Sequence, residues 1–206
     1  MKVGGTPVRS RLTPGSDLRP LFRVGTRHFV MRLVEEGDYP ELHRMRSAPE
    51  ARHLHAIDPN PLLQLEYIRR AREKAKAGAE IYWALTIPTS ISEPVGFVRI
   101  ADLKTGDWFS FHSLVVDPKI AQPAIAIDAI FSVMKIGFDL LGLARADGLT
   151  VSIHHEKMLQ IHRSMGILSE TRIEDGYVHL SATRDAFQAR RQVFERLGFG
   201  QLSFSD

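Results

Sequence analysis

The sequence contains no cysteine. Without thiols the chain cannot form a disulfide, a thiolate zinc site or a cysteine nucleophile. The absence also fits a reducing compartment, so we expect a folded cytoplasmic protein.

An excess of one charge is also missing. Lys and Arg number 27 against 24 Asp and Glu, a net charge of +3, and the basic residues are spread along the chain. Nucleic-acid-binding proteins usually carry a clustered basic surface. We therefore expect no nucleic-acid partner.

Long apolar runs are scarce. Residues 124–143 approach the length of a membrane span, but Asp128, Lys135 and Asp139 interrupt them. These polar residues share one stripe, which predicts an amphipathic helix and no membrane partner. Residues 1–27 mix Gly, Pro, Thr, Ser and Arg without the apolar core of a signal peptide, so we expect an irregular arm there.

Periodic patterns divide the remaining chain into alternating strands and helices. Strands are expected at residues 28–33, 81–87, 95–100, 108–116, 145–153, 167–174 and 177–181. Helices are expected at residues 36–47, 62–77, 127–141, 156–165 and 183–197. The alternation in residues 81–87 predicts a half-buried strand, and Phe187, Phe194 and Leu197 are expected to be buried by the last helix.

Turn residues predict how these elements connect. Strands 81–87, 95–100 and 108–116 follow one another through short breaks, so they should form an antiparallel meander. Gly142 and Gly166 should end helices, and Asp175-Gly176 should form a type I′ hairpin.

The order of elements predicts the fold class. A strand-helix-strand unit between antiparallel hairpins predicts a mixed α/β (α+β) fold with a central, mostly antiparallel sheet and helices on both faces. This arrangement excludes a pure Rossmann fold. We divide the chain into an arm (1–27), one domain (28–187) and a C-terminal helix end and tail (188–206).

The junction after Val115-Val116-Asp117-Pro118 is the most informative local feature. A helix begins directly beyond a strand end there, and the N-terminus of a helix favours a phosphate group. The loop at residues 121–126 contains no glycine, but Pro123 suits the first helical position and leaves the N–H groups of Ala124, Ile125 and Ala126 available. The alternative is an ordinary helix start with small residues packed against the sheet.

Several strings in this order resemble the GNAT superfamily of acyl-CoA N-acyltransferases, in the branch of ribosomal-protein and amino-sugar N-acetyltransferases. They are residues 31–38 (MRLVEEGD), 115–118 (VVDP), 136–143 (IGFDLLGL), 162–167 (HRSMGI) and 180–187 (LSATRDAF). The likeness covers about residues 28–187. It departs from the family in three places: the pyrophosphate loop lacks glycine, His155 replaces an asparagine and His162 replaces a tyrosine.

The resemblance implies acetyl-CoA as co-substrate and a set of residues that bind it. Leu114, Val115 and Val116 match the strand end that pairs with the pantetheine arm. The loop residues match the pyrophosphate site, and His155 lies at the start of the helix that follows the next strand. The implied coenzyme-binding residues of the loop are Ala121, Gln122, Ala124, Ile125 and Ala126.

Two histidines are the candidate catalytic residues. His162 occupies the position of the tyrosine that protonates the departing thiolate, and His112 precedes the strand end and could serve as base. Either histidine could instead be a packed or surface residue. His154 and His155 lack the second histidine of an H-E-x-x-H motif, so no metal is expected, and Ser113 lacks a Gly-x-Ser-x-Gly turn.

The leading hypothesis is an enzyme that transfers acetyl from acetyl-CoA to a primary amine of an amino sugar, a protein N-terminus or a small molecule. The alternatives are an inactive GNAT-like module that binds an acyl-CoA or a protein, and an interaction domain that binds no coenzyme. The acceptor pocket could include Arg46, Arg52, His53, His55 and Asp58, which would suit an anionic or hydroxyl-rich acceptor or be plain surface. The segment after Phe187 could form a homodimer contact.

Overall fold

A computed structural model describes residues 17–87, 90–103, 107–120 and 123–204. Its nine described strands are β1 (Arg23–Gly25), β2 (Val30–Leu33), β3 (Ile81–Ile87), β4 (Ser90–Ala101), β5 (Trp108–Val116), β6 (Arg145–Ser152), β7 (Ser169–Glu174), β8 (Tyr177–Thr183) and β9 (Ser203–Phe204). The five described α-helices are α1 (Tyr39–Ser47), α2 (Pro61–Lys76), α3 (Pro123–Lys135), α4 (Glu156–Met165) and α5 (Arg184–Arg196).

The strands form one sheet in the order β7-β8-β6-β5-β4-β3-β2-β1-β9. Every neighbouring pair in the described sheet is antiparallel except β5 and β6, which are parallel and joined through α3. The predicted meander of β3, β4 and β5 and the mixed, mostly antiparallel sheet are therefore confirmed.

Helices cover both faces of the sheet, as predicted. On one face, α1 and α2 pack on β3 and β4 through a cluster that contains Leu42, Ile68 and Tyr82. On the other face, α3, α4 and α5 contribute Phe131, Leu159 and Phe187 to the larger core. Because both faces are covered, β3 is buried from Ile81 through Thr86. The prediction of a half-buried strand there was wrong, since alternation does not show whether the second face receives a helix.

Turn chemistry follows the sequence closely. Asp175 and Gly176 both have positive φ, 49° and 78°, as a type I′ turn requires, and they join β7 to β8. Gly166 ends α4 with φ of 64°. The long helix continues beyond α3 as a π-helical turn, Ile136–Leu140, and Gly142 with φ of 70° ends it.

The polar stripe of α3 does not face solvent. Asp128 and Ser132 are fully buried. Asp128 accepts hydrogen bonds from the Gly200 N–H at 2.8 Å and pairs with His28 Nδ1 at 2.9 Å. The expectation that the polar stripe of an amphipathic helix faces solvent was wrong for Asp128, because Gly200 of the C-terminal segment contacts it, and Ser132 donates a hydrogen bond to the same carboxylate.

The two ends of the chain also differ from expectation. Within the arm expected to be irregular, Arg19–Leu21 forms a 3₁₀ turn and β1 pairs with both β2 and β9. Residues 1–16 lie outside the described chain. Phe187 and Phe194 are buried as predicted, whereas Leu197 is 58% exposed, because the chain turns away beyond the end of α5.

Candidate functional site

A cleft opens where the parallel strands β5 and β6 diverge. They pair at only three positions, from Trp108 opposite Arg145 to Ser110 opposite Asp147. Residues 111–116 of β5 therefore keep β4 as their partner on one side and have no described strand on the other. Backbone groups along this edge are available to a ligand, because unpaired N–H and C=O groups seek partners.

The cleft has a volume of about 1220 Å³. β5 and β6 form its floor, α4 forms one wall, and α1, α2 and the connection between them form the other. The start of α3 closes one end with Pro123 and Ala126. This is a cavity large enough for a coenzyme-sized ligand.

A β-bulge distorts β5 beside the cleft. Phe97 is opposite Val115 and Arg99 is opposite His112, so Val98 faces both Ser113 and Leu114. Ser113 adopts φ of 57°, in the left-handed region that non-glycine residues rarely occupy. Such strained backbone clusters at functional sites and redirects the groups around it. No residue type in the sequence indicated this bulge.

Gly148 shapes the opposite strand. It has φ of 75°, and a Cβ at this position would lie 3.2 Å from His112 Cε1. The pairing of β6 with β8 shifts between Ala146 and Leu149, so β6 bends away from β5 at this residue. Glycine provides both the positive φ and the space for the His112 ring.

His162 lies on α4, the helix that forms one wall of the cleft. It is 2% exposed, and its Nδ1 atom has no hydrogen-bond partner among the described residues. Burial lowers its pKa from 6.5 to about 4, with a smaller contribution from His155. The ring is therefore neutral near pH 7, when it can donate one N–H hydrogen bond but carries no additional proton to transfer.

His112 lies on β5 directly opposite Arg99 on β4. Its pKa is lowered to about 4, mainly by burial and to a smaller extent by the charge of Arg99, while Asp102 opposes the shift. A neutral imidazole has a free lone pair, so His112 is in the protonation state that a proton acceptor needs.

Aromatic rings line the mouth of the cleft on the side of α4 and β8. The His53 and His155 rings lie 4.7 Å apart, and His55 stacks on Tyr177 at 4.4 Å. His155 precedes α4, and burial followed by the charge of His53 lowers its pKa. These contacts attach the connection between α1 and α2 to the β6 side of the cleft.

The predicted coenzyme-binding residues are brought partly together. Leu114, Val115, Val116, Ala126 and His155 all line the cleft. The prediction that Pro123 begins the helix is confirmed, which places Ala124 and Ile125 in the first turn of α3. The Ile125 side chain belongs to the main core, so only its backbone is available to a ligand. Ala121 and Gln122 lie outside the described residues.

The predicted acceptor residues are brought together with one exception. Arg46, Arg52, His53 and His55 line the cleft. Asp58 does not line it. Its carboxylate accepts a hydrogen bond from the Asn60 N–H at 2.8 Å, just before α2.

Sequence reasoning missed several lining residues, above all Arg99 and Tyr67. Both line the cleft, and the Arg99 guanidinium carbon lies 5.6 Å from the centre of the Tyr67 ring. A signal was present, since Arg99 is the only charged residue between Val95 and Ala101 in an otherwise apolar strand. A lone charge in a buried strand indicates a site.

Within the described residues, no group of three or more His, Cys, Asp or Glu side chains is arranged to hold a metal ion. No helix in the described part of the chain combines the length and apolar character needed to cross a bilayer.

Known proteins resemble this chain in structure but not detectably in sequence. No protein-family model and no curated protein matches it. The apo structure of FdhC, a nucleotide-linked sugar GNAT, is 19% identical with a TM-score of 0.72, and the match covers 86% of this chain and 98% of FdhC. A spermidine N-acetyltransferase SpeG chimera from Vibrio cholerae and hSSAT is 15% identical with a TM-score of 0.62, covering 79% and 99%. These likenesses establish the fold.

Proposed function

We propose that this chain, which has the GNAT acetyltransferase fold, transfers acetyl from acetyl-CoA to a primary amine. The observation that carries the proposal is the unpaired edge of β5 at residues 111–116, which faces a cleft of about 1220 Å³ beside the start of α3. Of the two similar structures named above, FdhC is a nucleotide-linked sugar GNAT and the SpeG chimera is a spermidine N-acetyltransferase.

The coenzyme would bind along this edge and at the helix start. Leu114, Val115 and Val116 offer backbone groups that can pair with the amides of the pantetheine arm, as an added strand would. The first-turn N–H groups of Ala124, Ile125 and Ala126 lie at the positive end of the helix dipole, where a pyrophosphate is favoured. We assign Ala121 and Gln122 to the same loop site, and His155 to the mouth of the cleft.

The chemistry would be direct attack of the amine on the thioester. The amine nitrogen bonds to the carbonyl carbon, negative charge develops on the carbonyl oxygen, and the C–S bond then breaks to release the coenzyme thiolate. An N–H group of β5 near the bulge is suited to stabilise the oxyanion. No covalent enzyme intermediate is needed.

Two histidines would assist the proton transfer and the departure of the thiolate. Neutral His112 accepts the proton that the attacking amine loses, directly or through water. Neutral His162 donates an N–H hydrogen bond to the departing sulfur, which then takes its proton from solvent or from the protonated His112. This differs from the expected role of His162 as a proton donor, because its burial keeps the ring uncharged at neutral pH.

A second candidate is a GNAT-fold module that binds acyl-CoA without turnover. It is favoured by the absence of glycine in residues 121–126 and by a histidine with a depressed pKa where the family has a tyrosine. Binding and turnover must therefore be measured separately.

Titration calorimetry with acetyl-CoA tests binding, and we expect a saturable heat. No heat and no thermal stabilisation at millimolar acetyl-CoA would exclude both candidates. Release of the free thiol of coenzyme A with a panel of amino sugars, peptides and polyamines then tests turnover. Binding of acetyl-CoA without thiol release for any acceptor would favour the module that binds acyl-CoA without turnover.

His162→Phe tests the proposed catalytic contact. We expect kcat to fall about tenfold or more while the Kd for acetyl-CoA changes little, because the lost hydrogen bond forms only as the thiolate departs. His179→Phe on β8, outside the lining of the cleft, is the matched control. Equal kcat in the parent and in His162→Phe would reject the assignment.

A further inference from the structure

Three buried polar atoms have no hydrogen-bond partner in the described chain: Arg46 Nε and Arg99 Nε, from two residues that line the cleft, and the hydroxyl of Tyr82, which is the cross-strand neighbour of Arg99. Buried polar groups are almost always paired, so unpaired donors that lie together call for a ligand. Tyr82 is fully buried and directly opposite Arg99 in the pairing of β3 with β4.

These donors converge from different elements. Arg46 comes from α1, Arg99 from β4, and both line the cleft together with Tyr67 of α2. The Arg99 guanidinium lies over the Tyr67 ring, which in turn meets the Tyr82 ring edge-on at 5.6 Å. The space between α1, α2 and the sheet is therefore surrounded by hydrogen-bond donors.

Tyr82 can act only as a donor or neutral acceptor in this setting. Burial raises the pKa of its hydroxyl, and the positive charges of Arg46 and Arg99 lie close enough to oppose that rise. The hydroxyl therefore keeps its proton at neutral pH, and its O–H is free to bind an acceptor atom.

The charges around the cleft are unbalanced. Its described lining includes five cationic residues and two carboxylates: Arg46, Arg52, Arg70, Arg99 and Lys157 against Glu50 and Glu156. The buried Glu80 partly neutralises Arg99 at 3.6 Å but also pairs with Lys74 at 3.3 Å. Arg46 has no carboxylate partner among the described ion pairs and donates instead to the His55 carbonyl at 2.8 Å. A ligand with negative charge would complete this site.

We infer that the acceptor amine also carries an oxyanion, a carboxylate or a phosphate, which binds between Arg46 and Arg99 with the Tyr82 hydroxyl as a third donor. The inference rests on the proposed function, because it describes the acceptor half of the same cleft. Arg99 and His112 are direct cross-strand partners, so an acceptor anchored on Arg99 presents its amine on the His112 side of the cleft. The surplus of cations disfavours a polyamine.

Anion binding is tested first on the free protein, without turnover. We expect inorganic phosphate or acetate to bind in calorimetric titrations, and Arg46→Gln to weaken that binding by about tenfold, the effect of one charge-assisted hydrogen bond. Arg70→Gln, which removes a cation from the same cleft without a buried unpaired nitrogen, should change it less than twofold. Which anion binds distinguishes a carboxylate acceptor from a phosphate acceptor.

Acceptor selectivity is tested with matched amines. We expect glucosamine 6-phosphate to exceed glucosamine, or glycine to exceed glycinamide, by at least about tenfold in kcat/KM, with spermidine the poorest acceptor. Arg46→Gln and Arg99→Lys, the latter keeping a charge beside Glu80, should raise KM for the anionic acceptor and leave the Kd for acetyl-CoA unchanged.

The outcomes separate this inference from the proposed function. A failure to bind acetyl-CoA would overturn the proposed function. The phosphate and acetate titrations would still test the anion site independently. Neither anion binding, or both binding equally to the parent, Arg46→Gln and Arg70→Gln, would overturn the anion site. Spermidine or neutral amines turning over as well as their anionic counterparts would overturn it too.

Discussion

His112 is half-buried and His162 is buried beside the cleft, and desolvation is the main cause that lowers the pKa of each from 6.5 to about 4. At neutral pH both rings are uncharged. One consequence is catalytic, since a neutral ring accepts a proton or donates a single N–H. Another concerns stability, because protonation is then easier in the unfolded chain than in the folded one.

We predict that the free energy of unfolding falls as the pH is lowered from 6.5 towards 4. Between pH 4 and 6.5 the two histidines are protonated in the unfolded chain but mostly neutral in the folded chain. Stability therefore rises with pH in this range and levels off above pH 6.5. Each histidine contributes a slope of at most about 1.4 kcal/mol per pH unit. Urea unfolding across this pH range measures the slope.

His162→Phe should reduce the dependence of the unfolding free energy on pH by at most the contribution of one histidine, even if it also changes stability at pH 7. His154→Gln, at an exposed position, serves as the control for the loss of a histidine. A slope in His162→Phe identical to that of the parent would show that His162 titrates alike in the folded and unfolded chains.

At the scale of the elements, the helix that follows β5 positions the floor of the cleft. It runs as α3 and then widens into the π-helical turn Ile136–Leu140, where Gly137 meets Phe109 of β5. A Cβ on Gly137 would overlap the Phe109 ring. Phe109 is opposite Ala146 in one of the three β5–β6 pairs, so this close contact lies at the point where the cleft begins.

We predict that Gly137→Ala destabilises the protein by about 1–3 kcal/mol, because the added methyl overpacks the core and must displace Phe109 or the helix. Gly37→Ala is the matched control. No atom lies within 4 Å of a Cβ at that position, so its effect should stay within about 0.5 kcal/mol. Equal denaturant midpoints for the two variants would contradict the close packing of Gly137 on Phe109.

At the scale of the whole molecule, the segments around His28 and Gly200 meet on α3. β9 near the C-terminus pairs with β1, while Asp128 of α3 binds the Gly200 N–H and His28. The Asp128 side chain is fully buried, so these bonds are shielded from water. This junction links the sheet edge to the helix and lies outside the lining of the cleft.

We predict that Asp128→Ala lowers the free energy of unfolding by about 2–4 kcal/mol, because it leaves a buried N–H without an acceptor and removes well-packed atoms. Asp128→Asn keeps an acceptor oxygen for the Gly200 N–H and should cost less. Urea unfolding compares the two, and the Kd for acetyl-CoA should be unchanged in both. Identical losses in the two variants would mean that the hydrogen bond to Gly200 contributes little.

Local patterns in the sequence predicted most of the elements and several of their ends. Gly142, Gly166 and the Asp175-Gly176 pair adopt the positive φ values expected of them, since a residue type that tolerates such backbone needs no distant partner to reveal it. The strand edge at Leu114, Val115 and Val116 was expected only from the resemblance to a known family. The predictions that were wrong concern the environment of particular side chains, since Leu197 is exposed while Asp128 and Ser132 are buried.

The sequence by itself therefore determined most of the elements, their order and the mixed, mostly antiparallel sheet. Only the tertiary structure decided the bulge at Ser113, the burial of Asp128 and the convergence of Arg46, Arg99 and Tyr82. The physical reason is the distance along the chain over which each effect acts. Backbone preferences and periodicity act between near neighbours in the chain. Burial and the pairing of polar groups depend instead on which distant segments pack together, as when residue 200 covers residue 128.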